Sequence, residues 1–364
     1  MKTLALAAAG VLALAAGTAN AQSTPNQGQV TLGAGWSSLY GPIGTAGVHV
    51  SDFLGSGLDV SGELRKGRKG YDTALSLGYA TELGALGFLM SPEFFVGLDH
   101  RASDWSDDPY SGQVGEANIG IGGSLGLIDV SFGGFARVNK VSSFNPNASP
   151  IVSAEKGFSW TAGAVVGAGW DTYTGAGLSQ TGTGVEATVR LAPLGTRHFV
   201  SGEVSARTVQ PIFEQFSLAV SGEAGLIRGL GGQSVSVYDR AFLGGAAPRG
   251  FGIAGIGPRD KAGAVDTALG GTNYLLGSVE VRRPVFANTA LGAFVDVASV
   301  WRLDGAPVGA SGVIDDSFFL NAAVGATFYW ETQVGTINLS VAKPVRLRAG
   351  DSENLISLGL SQSF

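Results

Sequence analysis

Alternation without any spanning run is the tightest constraint on this chain. Beyond residue 21 no apolar stretch approaches the roughly 18 residues that a membrane-crossing helix needs. Yet charged residues make up only 14% and hydrophobic residues 45%, against a usual charged share of about 25%. The apolar residues are spread in a two-residue period. Val185, Ala187, Val189 and Leu191 are interleaved with Glu186, Thr188 and Arg190. Leu275, Gly277, Val279 and Val281 alternate with Ser278, Glu280 and Arg282, and Ile337, Leu339 and Val341 with Thr336, Asn338 and Ser340. Successive side chains on a strand point to opposite faces. One apolar row and one polar row per strand suit a wall with lipid outside and water inside. A half-buried soluble sheet gives the same alternation, so the choice between them rests on export and on the low charge.

The amino terminus supplies the export signal. Met1-Lys2-Thr3 is a short positive start, Leu4 to Ala16 a run of small apolar residues, and Ala19-Asn20-Ala21 a small-x-small cleavage site. Together they read as a secretory signal over 1–21, with the mature chain beginning at Gln22. An exported apolar chain without helical spans implies an all-β fold: a transmembrane antiparallel β-barrel in a bacterial outer membrane, surrounded by its lipids.

Candidate strands fall near 28–36, 43–51, 57–65, 70–79, 86–99, 112–121, 126–138, 158–173, 183–192, 198–206 and 213–224, then 272–283, 289–298, 318–329, 333–342 and 353–364. That is sixteen, with 22–27 as a short periplasmic amino terminus and 28–364 as the barrel. With both ends in the periplasm, the long connection 225–271 is extracellular at its base. Connections of this length are usually functional or disordered. This one contains Phe-Leu-Gly-Gly-Ala-Ala-Pro-Arg-Gly-Phe-Gly-Ile-Ala-Gly-Ile-Gly-Pro from Phe242 to Pro258, with one cation, Arg249, amid glycines. Ordering such a segment costs backbone entropy, so something must hold it.

Other signals are weaker. Trp36, Tyr40, Trp160, Trp170, Trp301, Tyr329 and Trp330 lie near predicted strand ends, where interfacial girdles or packed lumenal rings are expected. The acidic Asp104-Trp105-Ser106-Asp107-Asp108 reads as a solvated outer loop rather than a calcium site, because its ligand spacing is not diagnostic. The chain has no cysteine and a net charge of −6; disulfides and thiolate metal sites are excluded, and nucleic acid is not an expected partner. No cofactor or metal is expected. Gly250 to Gly255 matches a dinucleotide pattern, and Gly122-Gly123-Ser124-Leu125-Gly126 a nucleophile elbow. Each needs a strand–turn–helix setting that the pattern here does not provide. His49, His100 and His198 are the only histidines that could serve such an elbow.

Three segments resemble the BamA/TamA-type outer-membrane assembly barrels, also called bacterial surface antigen proteins. The first is Gly244 to Phe251 with its Arg249-Gly250-Phe251, followed by Ile256-Gly257-Pro258. The second runs from Gly270-Gly271-Thr272-Asn273 through Glu280-Val281-Arg282-Arg283-Pro284 to Phe294-Val295-Asp296-Val297-Ala298-Ser299-Val300-Trp301, with Ala298 in place of the family's usual glycine. The third is Trp330 to Gly335 with Ser340-Val341-Ala342-Lys343-Pro344, running to Phe364. Gly169-Trp170-Asp171-Thr172, with a turn closing at Gly184, is a fainter echo that lacks the family's proline.

The resemblance implies that the loop folds into the lumen and that Arg249 meets Asp296 on the inner wall, with Gly250 and Phe251 completing the motif. Alternation agrees that Asp296 is lumenal, since Leu291, Ala293, Val295 and Val297 form the apolar row. Glu280, lumenal on the preceding strand, is placed to share or compete for Arg249. A lateral seam is the second implied element. Its first strand carries Gly28, Gly33 and Gly35, which weaken pairing. Its last strand turns Ile356, Leu358, Leu360 and Phe364 outward, and an opened edge there could pair with a client strand. The resemblance also implies a branch without polypeptide-transport-associated (POTRA) domains, since only Gln22 to Gln27 precede the first strand. The expected function is insertion of outer-membrane proteins or protein translocation, with a client outer-membrane or secreted protein and a separately encoded periplasmic helper as partners. A passive pore or surface antigen without a client is the alternative, and a barrel-embedded hydrolase stands behind it.

Overall fold

The computed structural model describes residues 29–37, 41–50, 53, 56–67, 70–80, 85–87, 89–103, 110–144, 148–175, 177–213, 215–245, 247–262, 265–305, 307–332 and 335–361. The expected signal segment 1–21, the stretch 22–27, Gly28, Tyr40, the acidic Asp104–Asp108 stretch and Phe364 lie outside them.

The backbone is almost wholly antiparallel β. The wall strands are β1 (Gln29–Ser37), β2 (Gly41–Val50), β3 (Leu58–Gly67), β4 (Gly70–Ala80), β5 (Leu89–Ser103), β6 (Tyr110–Leu125), β7 (Ile128–Phe144), β8 (Gly157–Asp171), β9 (Gly182–Gly195), β10 (Phe199–Phe213), β11 (Phe216–Gly229), β12 (Asn273–Phe286), β13 (Thr289–Trp301), β14 (Asn321–Thr332), β15 (Gly335–Arg346) and β16 (Ile356–Ser361). Each pairs antiparallel with the next in sequence. The two-residue Ala85–Leu86, paired to the start of β5, is the remaining member of a 17-stranded sheet. Among the described residues no helix is long and apolar enough to cross a membrane.

The register keeps the apolar row on one face throughout. On β13, Leu291, Ala293 and Val295 are exposed, while the alternating Gly292, Phe294, Asp296 and Ala298 are buried. On β15, Leu339 and Val341 face out and Thr336 and Ser340 face in. The inner face is concave: Arg190 on β9 reaches Glu116 on β6 across two intervening strands. β1 and β16 come near each other, and among the described residues no ladder of paired residues joins them.

Several strands run past the ends that alternation indicates. β5 continues to Ser103, β7 to Phe144 and β11 to Gly229. At these outer ends the ladder persists after the apolar period stops: Asn139 pairs with Ser159 and Lys140 with Phe158. Backbone pairing needs no lipid, whereas the apolar row does, so the sequence signal fades at the water interface. The long connection is therefore 230–272 rather than 225–271, because Gly225 and Leu226 pair with Tyr274 and Asn273. The connection between β7 and β8 contains a short helix, α1 (Pro150–Ser153), whose cap Ser149 accepts from the Ile151 N–H.

The 230–272 segment packs on the inner wall and creates the dry core of the molecule. Phe251 and Ile256 from the loop bury against Ala298, Val300 and Ala323 of the wall. Val237 and Leu269 meet Val141, Val152, Leu303 and Ile314. Among the aromatic residues, Trp160, Trp170 and Trp330 are exposed on the outside, and Trp301 stacks edge-on against Phe318. Tyr329 departs from the girdle reading. It is buried on the lumenal face, because its neighbour Trp330 takes the outward position in the alternation.

The outward row defines a simple test. Val295 sits at the middle of β13 and is 46% exposed. Val295→Arg should destabilise the barrel by about 2–4 kcal/mol, read as a lowered urea midpoint in lipid vesicles, with Val295→Leu close to wild type.

Candidate functional site

The strand register brings a ring of polar groups to one height on the inner wall. Ser278 on β12 lies directly opposite Asp296 on β13, and its hydroxyl donates to Asp296 Oδ1 at 2.7 Å. Two residues along β12, Glu280 points to the same face. Its neighbour across the strand is Phe294, and Gly292 beside it leaves room for the carboxylate: a Cβ there would stand 2.4 Å from Glu280 Oε1. Thr327 on β14 and Ser340 on β15 extend the ring, their hydroxyls 2.8 Å apart.

Arg249 enters this ring from the loop. Its guanidinium forks onto Asp296, with Nε to Oδ2 at 2.9 Å and Nη2 to Oδ1 at 2.8 Å. Nη1 donates to Glu280 Oε2 at 2.7 Å and to Thr327 Oγ1 at 3.0 Å, and Nη2 also donates to Ser278 Oγ at 3.1 Å. All five guanidinium N–H groups thus have an acceptor, the full donor capacity of the side chain. The Arg249 backbone N–H adds a bond to Asp296 Oδ2 at 3.0 Å. The guanidinium lies over the Phe294 ring, 3.3 Å from its centroid, a favourable cation–π placement.

Glu280 is shared rather than contested. Its other oxygen accepts from Arg282 Nε at 2.8 Å and from the Tyr329 hydroxyl at 2.5 Å. Arg282 rests over the Tyr329 ring. Two cations and two carboxylates make the cluster formally neutral, which is how charges persist in a site where Glu280 and Asp296 are each 3% exposed. Gly250, next in the chain, has φ +91°, where a side chain is strained. A Cβ there would lie 3.0 Å from that of Ala323. Phe251 is fully buried beyond it.

A second station with reversed polarity lies on β6, β7 and β9. Here the wall supplies the cation: Arg137 on β7 donates to loop residue Asp239 at 2.6 Å and to Glu116 on β6 at 2.6 Å, and Glu116 also accepts from Arg190. Nearer the outer rim, loop Arg240 pairs with Glu155 at 2.9 Å, both almost buried. Asp260 accepts from Ser149 Oγ, the Ala310 N–H, and both the N–H and hydroxyl of Ser311. The long loop is thereby stitched to the 145–156 and 302–320 connections. Nothing in the sequence marked Arg137, Asp239, Glu155 or Asp260; a weak signal was available in their being charges on an otherwise charge-poor chain.

The other expected residues are placed as follows. Gly33 and Gly35 pair with Thr45 and Ile43 within β1–β2. Leu358 and Leu360 pair with Leu339 and Ile337 within β15–β16. Gly28 and Phe364 are outside the described residues. Ser124 lies at the end of β6 before a hairpin turn into β7, so no helix follows it. Gly250–Phe251 forms a two-residue ladder with Glu353–Asn354, and Gly252–Gly255 continues as a turn, again without a helix. His198 Nε2 is 2.9 Å from the Gly195 carbonyl, and His100 stacks near Tyr71.

Two outcomes follow for the cluster. Asp296→Ala leaves Arg249 and its partners unbalanced, and breaking a buried pair costs about 3–5 kcal/mol. The loop should loosen, with trypsin gaining access at Arg240, Arg259 and Lys261. Gly292→Ala should give a milder version by displacing Glu280. At the rim, hydrogen bonds from Arg348 and Ser317 hold the Asp315 carboxyl down at about 2. A depressed carboxyl stabilises the fold above its ordinary value of about 3.9 and loses that contribution as pH falls through the folded value. A lower protection factor at 315–317, measured against the intrinsic exchange rate at each pH, is therefore expected between about pH 4 and pH 2.

Comparison with known proteins places this architecture. A model of the Omp85 superfamily domain matches residues 52–364. The outer membrane protein assembly factor BamA of Neorickettsia risticii (strain Illinois) is 33% identical over 171 residues, a stretch that is 46% of this chain and 22% of that protein. The chain thus aligns with about a fifth of that relative's length. The crystal structure of BamA from Haemophilus ducreyi lacking POTRA domains 1–3 shares the fold, with a TM-score of 0.76 at 18% identity, covering 93% of this chain and 70% of that one. CdiB from Escherichia coli shares it more loosely, with a TM-score of 0.56 at 11% identity over 97% of this chain and 67% of that one. With the family model spanning most of its length, the chain belongs to the Omp85 superfamily.

Proposed function

We propose that this protein is a bacterial outer-membrane barrel that inserts client outer-membrane proteins through the seam between β1 and β16. The observation that supports this reading most is the junction of those two strands, which lie close together without a ladder among the described residues. Unpaired strand edges are templates for another strand, and adding a client strand to such an edge is a known recognition mode. The activity is the one named for its Neorickettsia relative, an outer membrane protein assembly factor. In this reading Arg249, Gly250, Phe251, Asp296 and Glu280 form the structural lock that keeps the loop inside, while Gly28, Gly33, Gly35, Leu358, Leu360 and Phe364 belong to the seam. Residues 1–21 are the export signal. A separately encoded helper delivers the client from the periplasm.

The chain contains no cysteine, so single introduced thiols report without background. Cysteines at Thr31 on β1 and Ser357 on β16 should trap other outer-membrane proteins in living cells, through those proteins' own terminal strands. Asp296→Ala should remain a folded, heat-modifiable barrel and lose most of that capture. Normal client capture by Asp296→Ala would remove the lock from the mechanism. Steady single-channel conductance with no trapped client in any position would replace this reading by a passive pore.

A further inference from the structure

The Arg249 motif does more than reach the wall. Immediately after the lock residue, Gly250 and Phe251 pair antiparallel with Asn354 and Glu353. The Gly252 N–H donates to the Ser352 carbonyl at 2.9 Å, and the Ser352 N–H returns a bond to the Gly255 carbonyl at 3.0 Å. Further along, the Gly257 N–H donates to Asp351 Oδ1 at 3.3 Å, while Asp351 Oδ2 accepts from Asn321 Nδ2 at the start of β14 at 2.9 Å. The gripped residues 351–354 lie just before Ile356, the first residue of β16. The loop therefore holds the root of the last strand with its backbone, starting one residue from the guanidinium.

We propose that this clamp couples the lock to the seam, with Asp351 and Ser352 as positioning residues for β16. The inference rests on the proposed seam function and adds to it the means by which the seam is held. The coupling follows from chain geometry. A planar trans peptide links Arg249 to Gly250 and fixes their Cα atoms about 3.8 Å apart. The Arg249 backbone N–H also donates to Asp296 Oδ2 at 3.0 Å, so the same carboxylate holds the main chain that carries the Gly250–Phe251 ladder to Glu353–Asn354. Among the described residues β16 pairs with β15 from Thr336 to Val341, and the Ala342 N–H donates to the Leu355 carbonyl at 2.9 Å, next to the gripped root. Glycine is required where the clamp closes. A Cβ on Gly255 would stand 2.6 Å from the Gly252 carbonyl and 2.7 Å from Ser352 Oγ.

Hydrogen exchange read by mass spectrometry on the purified protein in lipid nanodiscs, with no client present, tests this. Arg249→Ala should quicken exchange at 351–357 by about fivefold, as expected for the loss of one backbone-class hydrogen bond from the local opening equilibrium, although the Arg249 side chain donates its hydrogen bonds to Asp296, Glu280, Thr327 and Ser278 instead. Asp351→Ala and Gly255→Val should do the same while leaving the Asp296 region of β13 at wild-type rates. If Arg249→Ala does not fold, the other two variants carry the test. Faster exchange in 245–252 with 351–357 unchanged would overturn the coupling, as would wild-type exchange at 351–357 in both clamp variants. Because no client takes part, a failure of client capture in cells strikes the proposed function and leaves this result standing on its own.

Discussion

Much of the inner architecture depends on one guanidinium finding five acceptors inside the barrel. The acceptors come from three neighbouring strands: Ser278 and Glu280 from β12, Asp296 from β13 and Thr327 from β14. They converge because the register sets Ser278 opposite Asp296 and Gly292 opposite Thr327. A slip of one residue in any of these ladders would turn the polar set toward lipid and the apolar set toward water. The cluster and the register thus enforce each other. Charge balance matters as much as hydrogen bonding, since burying one unpaired ion would cost several kcal/mol, whereas Arg249, Arg282, Glu280 and Asp296 cancel.

The loop resolves a tension present in the sequence. A segment rich in glycine is expensive to order, yet this one is packed tightly enough to bury Phe251 and Leu269 completely. Three kinds of attachment offset that cost. Arg249 brings a cation to wall acids, Asp239 brings an anion to the wall cation Arg137, and Asp260 and Arg240 stitch the loop to the neighbouring outer connections. The two wall stations lie on β12–β14 and on β6–β9, so the loop spans the interior as a strut. Opposite polarity at its two ends also fixes which way round it can sit.

How much of this was legible in the residues varies with the kind of interaction. The outward rows of β9, β12 and β15 follow directly from alternation, because lipid on one side and water on the other impose a two-residue period. The outer ends of β5, β7 and β11 do not, because beyond the lipid only backbone pairing holds them. Asp296 and Glu280 could be assigned to the inner face from the same period, but their meeting with Arg249 came from resemblance; no local pattern ties residues 47 positions apart. Ser278, Thr327 and Tyr329 carry no mark of cluster membership in the sequence, since a hydroxyl on a wet face looks like any other. Arg137 and Asp239, 102 positions apart, left no trace beyond their charge. The grip on residues 351–354 is made largely of backbone groups, which every residue carries, and only the glycines at 252 and 255 hint at it.

Lipid itself narrows how a seam of this kind could work. A backbone N–H or C=O left unpaired in hydrocarbon costs several kcal/mol, so β16 cannot peel away into an empty bilayer along its length. Release of the root at 351–354 is cheaper, because that segment lies at the water-facing end, where solvent replaces the lost partners. An opening that begins there and advances only as a new strand takes over each vacated bond never exposes more than a few groups at once. The loop clamp sits at the place where such an exchange would start. In the proposed mechanism the lock on the far side of Gly250 is the element that decides whether such an exchange can begin.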